Sequence, residues 1–155
     1  MPQGEDAPRA TASLESTKGN KTFGEATFEQ VGSNKVRVIV FAQGLKPDGE
    51  HGFHIHEAGD CSSGDGMSAK GHFNPLDKPH GQPGAQSHAG DLPMLKAAKN
   101  GRAKLDAEIE GITVAPGQTS IVGRGLIIHA DPDDFKTQPT GNAGARLACG
   151  VIRPG

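Results

Sequence analysis

The chain predicts an all-β domain, an antiparallel sandwich or Greek-key barrel, on three observations. Its apolar residues alternate with polar ones at a period of two. Turn formers (23 Gly and 11 Pro in 155 residues) break the alternation at short intervals. No segment carries the 3.6-residue apolar stripe of a helix.

The strands follow from that pattern in order. Residues 9–14 and 24–29 alternate weakly, and residues 35–41 alternate clearly at their start and are rich in β-branched side chains. Residues 103–109 alternate again. Residues 120–123, 125–129 and 146–152 read as shorter, more apolar strands. Gly32-Ser33-Asn34, Pro47-Asp48-Gly49, Asn100-Gly101 and Pro116-Gly117 supply turns between them. Two stretches, 58–93 and 130–145, resist strand assignment. Loops of that length in a compact domain usually carry function.

Size and composition place the chain as a single domain spanning 1–155, with residues 1–8 predicted as a flexible N-terminal segment. A hydrophobic content of 34% implies a compact core surrounded by loop. The net charge of -2, with both signs interspersed, gives no footprint for nucleic acid. No stretch approaches the roughly 18 apolar residues of a membrane span, so no membrane partner is expected. The first twenty residues lack an apolar signal-peptide core. A cytosolic protein and an exported one whose signal was removed both fit that. Cys61 and Cys149 are the minimum for one disulfide, whose closure would contribute roughly 4–5 kcal/mol. Two reduced core cysteines are the alternative.

The chemistry lies in seven histidines: His51, His54, His56, His72, His80, His88 and His129. Imidazole is a preferred nitrogen ligand for zinc and copper. His54 and His56, two apart on a strand, share a face and can reach one metal together, whereas His51 faces the other way. His72, His80, His88 and Asp91 form a closed set of three nitrogens and a carboxylate oxygen, which suits zinc. His129 ends an apolar strand and adds a third nitrogen to the His54–His56 group, which then suits copper. Spacing does not say which ligands group together or whether one is shared. A zinc hydrolase would need an open metal position, which a four-ligand set does not leave.

The stretches 51–61, 71–75, 80–81, 88–92, 123–129 and 141–152 resemble copper/zinc superoxide dismutases, in family order over about residues 9–152. The contexts at 59–62 and 90–93 resemble the bacterial, exported branch. The resemblance implies an eight-stranded antiparallel Greek-key barrel with two long functional loops, and a periplasmic or otherwise exported protein. It implies copper on His54, His56, His72 and His129, and zinc on His72, His80, His88 and Asp91, with His72 bridging. It also implies that Asp133, rather than the adjacent Asp134, links a copper histidine to a zinc histidine. Cys61 and Cys149 would form the intrasubunit disulfide. Arg146 would attract and orient the substrate, superoxide, and His72 would supply a proton during dismutation to O2 and H2O2. A metal-delivery module without turnover is disfavoured, because all six metal histidines, Asp91 and Arg146 occur together. The 129–141 segment is short and lacks the charges of the eukaryotic guidance loop, which leaves Lys70 as a candidate for steering. No Trp or Tyr is present to build the aromatic interface of bacterial dimers, so a homodimer and a monomer both remain open.

Overall fold

Period-two alternation becomes a curled antiparallel sheet. A computed structural model describes residues 8–76, 78–81, 88–138, 141 and 143–155. The strands are β1 (Arg9–Ser16), β2 (Phe23–Gly32), β3 (Lys35–Gln43), β4 (Glu50–His51), β5 (Phe53–His56), β6 (Leu95–Lys96), β7 (Ala103–Glu110), β8 (Gly125–His129), β9 (Arg146–Val151) and β10 (Arg153–Pro154). Eight of them form one sheet in the order β5-β8-β9-β1-β2-β3-β7, with β10 beside β1, while β4 and β6 pair separately. The fold is therefore the all-β antiparallel architecture that the alternation predicts.

The inward set of each strand makes the core. β1 buries Ala10, Ala12 and Leu14, and β3 buries Val36, Val38, Val40 and Ala42. Phe28, Phe53, Ile55, Leu126, Ile128 and Ile152 fill the interior. Truncating Phe28 or Phe53 to Ala would cost about 3–5 kcal/mol. β5 and β8 are buried on both faces, because the 58–93 segment folds over them.

The structure departs from the sequence expectation at three places. Residues 120–123 form a turn rather than a strand: Arg124 N–H donates to the Ile121 carbonyl at 3.2 Å, and Gly123 sits at φ 85°. Extended pairing there is reduced to a bridge between Thr113 and Ser120. Two-residue strands β4, β6 and β10 were too short to alternate visibly. Met67–Ala69 forms a single 3-10 turn inside the first long loop. Most of the N-terminal segment predicted as flexible, residues 1–7, lies outside the described residues.

Candidate metal centre

β5 carries His54 and His56 and pairs with β8, which ends at His129. The first long loop lies along the free edge of β5, bridging His56 to His72 and His54 to Asp91. Phe73 N–H donates to the Ile55 carbonyl at 2.8 Å, and Ile55 N–H to the Gly90 carbonyl at 2.9 Å. A Cβ at Gly90 would stand 2.1 Å from the Ile55 oxygen, so only glycine lets the loop approach this closely. Sequence-distant imidazoles are thereby drawn onto one strand.

Two overlapping groups result. His54, His56, His72 and His129 have donor atoms within 4.8 Å of one another, as do His54, His72, His80 and Asp91. All of these residues are buried. His88 joins the second group, its Nδ1 lying 3.3 Å from His72 Nδ1 and 3.4 Å from Asp91 Oδ1. His51 stands apart, with Nδ1 donating to the His129 carbonyl at 2.9 Å.

The outward nitrogens fix the tautomers. A carbonyl only accepts, so the 2.8 Å contact of His56 Nδ1 with the Lys70 carbonyl places a proton on Nδ1. The 3.2 Å contact of His129 Nδ1 with the Gly144 carbonyl does the same for that ring. His54 Nε2 donates to Asp133 Oδ2 at 2.7 Å, and His80 Nε2 to Asp133 Oδ1 at 2.7 Å. Asp133 thus spans the two groups. Asp134 instead accepts the backbone N–H groups of Lys136 and Thr137 at the surface.

Inward-facing lone pairs are the consequence. His56 Nε2 and His129 Nε2, both unprotonated by the argument above, lie 3.3 Å apart. Two lone pairs at that separation repel unless a cation lies between them. His54 Nδ1 and His72 Nε2 are buried without any hydrogen-bond partner, an arrangement costing about 1–3 kcal/mol each if left unused. In the second group, Asp91 Oδ1 lies 3.1 Å from His72 Nδ1 and 2.8 Å from His80 Nδ1. Metal–ligand bonds of about 2.0–2.1 Å in a tetrahedron imply ligand separations near 3.3 Å, so the donor set fits zinc. The all-nitrogen first group fits copper.

Electrostatics match that fit. Burial pulls His72 down to about 4 and His129 down to about 3, which keeps both rings neutral. Burial likewise lowers His54 and, further, His56. Burial also opposes charge on His80, but its hydrogen bonds to Asp133 and Asp91 outweigh that and lift it to about 9. Asp91 and Asp133 are held well below the usual carboxylate range, because their histidine partners overcome desolvation.

Arg146 stands opposite His129 in the β8–β9 ladder, beside a register shift at Ile128/His129. Its Nη1 donates to the Gly66 carbonyl at 2.8 Å, and the Gly66 backbone packs against its side chain. Cys61 and Cys149 form a disulfide with Cα atoms 5.8 Å apart, tying the same loop to β9. The carbonyls of Gly66, Lys70 and Gly144, which aim these side chains, are functional groups that sequence reasoning missed. Backbone oxygens carry no residue signature, although Lys70 is visible in the structure by its φ of 65°.

The family model for copper/zinc superoxide dismutase (SODC) matches residues 22–152. Superoxide dismutase [Cu-Zn] 2 of Aquifex aeolicus (strain VF5) is 40% identical over 150 residues, covering 94% of this chain and 86% of that one. Superoxide dismutase [Cu-Zn] of Paramecium bursaria Chlorella virus 1 is 43% identical over 127 residues, covering 77% and 67%. The crystal structure of the clock protein EA4 superposes with a TM-score of 0.85 at 40% identity, covering 99% of both chains. With its paired donor groups and this likeness over most of its length, the chain belongs to the copper/zinc superoxide dismutase family.

Proposed function

We propose that the protein dismutates superoxide: two superoxide anions and two protons give O2 and H2O2. The observation that carries this is His72, whose Nδ1 faces Asp91 and His88 while Nε2 is buried without a partner beside His54 and His56. One ring thus serves two donor groups. When bound, copper supplies one-electron redox chemistry and zinc a fixed, non-redox charge. His54, His56, His72 and His129 would hold copper, and His72, His80, His88 and Asp91 would hold zinc.

The remaining residues have distinct tasks. Arg146, half-buried across from His129, attracts the small anion and orients it by its guanidinium fork. His72 Nε2 would hold the proton delivered to the reduced substrate only while its lone pair is not engaged by copper, serving as donor and proton carrier in turn. Asp133, the Lys70 carbonyl and the Gly144 carbonyl hold the imidazoles in the tautomers that turn lone pairs inward. The Cys61–Cys149 disulfide fits export to the periplasm or another oxidising compartment. The substrate is a small anion, with no nucleic-acid or membrane partner, and the chain acts as a monomer or homodimer.

The deciding experiment is a superoxide assay on protein loaded with one copper and one zinc per chain, with and without cyanide. Activity abolished by cyanide is the expected result. Full metallation without turnover would leave a metal-binding module and sink this reading.

A further inference from the structure

Strand β1 ends before it reaches the first residue of its partner, β9. Their ladder pairs Glu15 with Cys149 and Ser16 with Ala148, and Thr17 N–H extends it by donating to the Leu147 carbonyl at 2.9 Å. There the chain turns away. Asn20 N–H donates to the Thr17 carbonyl at 3.0 Å, and Gly19 holds the third position of the turn at φ 84°. The next N–H along, that of Lys18, is directed to the Gly64 carbonyl at 2.7 Å and so is not available to Arg146. A side chain serves Arg146 instead: Thr17 Oγ1 donates to its carbonyl at 2.7 Å.

The direction of that hydroxyl is set. A hydroxyl carries one proton and accepts on its lone pairs. Asn20 Nδ2 donates to Thr17 Oγ1 at 2.7 Å, which turns the proton towards the carbonyls, and Arg146 at 2.7 Å is nearer than Leu147 at 3.0 Å. Thr17 is 6% exposed, so water does not replace this bond. At the other end of Arg146 the guanidinium donates to the Gly66 carbonyl at 2.8 Å, in the loop segment that Lys18 N–H holds at Gly64. Both ends of the arginine are thereby referred to one turn. Its backbone is held through Thr17 Oγ1, and its side chain through the 64–66 segment.

We infer that Thr17 is a positioning residue for Arg146, its hydroxyl fixing the backbone from which the guanidinium extends. The inference rests on the reading of Arg146 as the group that attracts and orients the substrate anion. Arg146 sits at the register shift between Ile128 and His129, where the β8 ladder is irregular and regular pairing alone does not set its direction. The side chain is long and rich in rotamers, so a small shift at its base is magnified at its tip.

Azide, a small anion that binds copper, reads the aim of Arg146 without turnover, through the optical absorption of the copper- and zinc-loaded protein. Thr17→Val removes the hydroxyl and keeps the shape. It should weaken azide binding about twofold or more, the low end for coupled neighbours, with copper and zinc content unchanged. Thr17→Ser keeps the hydroxyl and should retain the parent's affinity. In an Arg146→Ala background, Thr17→Val should change azide affinity no further, although its cost in stability persists. A role in the fold alone would weaken azide equally in both backgrounds, and that result would overturn the inference. Asn20→Ala, at an exposed position, frees the hydroxyl to turn and should shift azide affinity in the same direction, which keeps the test open if Thr17→Val does not fold. Azide affinity unchanged in these variants, where Arg146→Ala has lost it, would overturn the inference as well. A parent that shows these azide differences but no dismutation would sink the functional reading alone.

Discussion

The Lys70 carbonyl accepts the Nδ1 proton of His56 at 2.8 Å while Lys70 itself is held at φ 65° and ψ -152°. That backbone region is nearly confined to glycine and costs a side-chain-bearing residue about 1–3 kcal/mol. The hydrogen bond and the 3-10 turn before it hold the strain in place. Lys70→Gly should therefore raise the unfolding free energy by about 1 kcal/mol, after the entropy glycine adds to the unfolded chain. His56 should keep its tautomer. Urea titration of both proteins measures this, and a Lys70→Gly chain less stable than its parent would contradict it. Comparing turnover of Lys70→Gly and Lys70→Gln over ionic strength tests whether the ammonium also steers substrate. Both should lose rate at low salt by the same factor.

Asp133 joins the two donor groups through His54 and His80. Asparagine offers only one acceptor oxygen, so Asp133→Asn leaves one imidazole without its orienting partner. Metal affinity should fall about 10–100-fold, with the metal-free stability nearly unchanged. Chelator competition for copper and zinc reads the first quantity and denaturation the second. Retained affinity would remove the linking role.

Arg146→Ala should keep both metals and lose about tenfold or more in rate at low ionic strength. The deficit should shrink as salt screens the parent's advantage. A rate equal to the parent's at low salt would rule out electrostatic attraction by this residue.

The metal-free protein should lose stability in acid in two overlapping steps. His72 and His129 lie at about 4 and about 3 in the folded chain, below their unfolded value near 6.5. Their contribution is complete above pH 6.5 and is lost as pH falls towards 4 and then 3, a change on the order of a few kcal/mol. Asp91 and Asp133, also depressed, add a further loss below about pH 4. His80 has the opposite sign. Raised to about 9, it stabilises fully below pH 6.5, and that contribution disappears as pH rises through 9. Denaturation of the metal-free protein at a series of pH values should give a maximum near neutrality. A flat profile between pH 7 and 4 would contradict the buried neutral imidazoles.

Strands were legible where alternation ran long enough to be seen. β1, β2, β3 and β7 each carry eight or more residues and appear in the pattern. β4, β6 and β10 have two residues each, too few for any period. Residues 120–123 misled because apolar Ile121 and Val122 suggest a strand, whereas the neighbouring backbone hydrogen bonds close a turn. At the site, residue types and spacing marked the imidazoles and carboxylates, but grouping them needed the fold. The loop's antiparallel lie along β5, which sets His72 beside His56 and Asp91 beside His54, depends on Gly90 coming within contact of Ile55. Spacing alone gives no sign of that approach.

The disulfide reaches further than chain entropy. Gly66 and Lys70, whose carbonyls aim Arg146 and His56, lie in the segment that Cys61 fastens to Cys149 on β9. One covalent bond thus holds the loop whose carbonyls aim the arginine and fix the tautomer of the histidine.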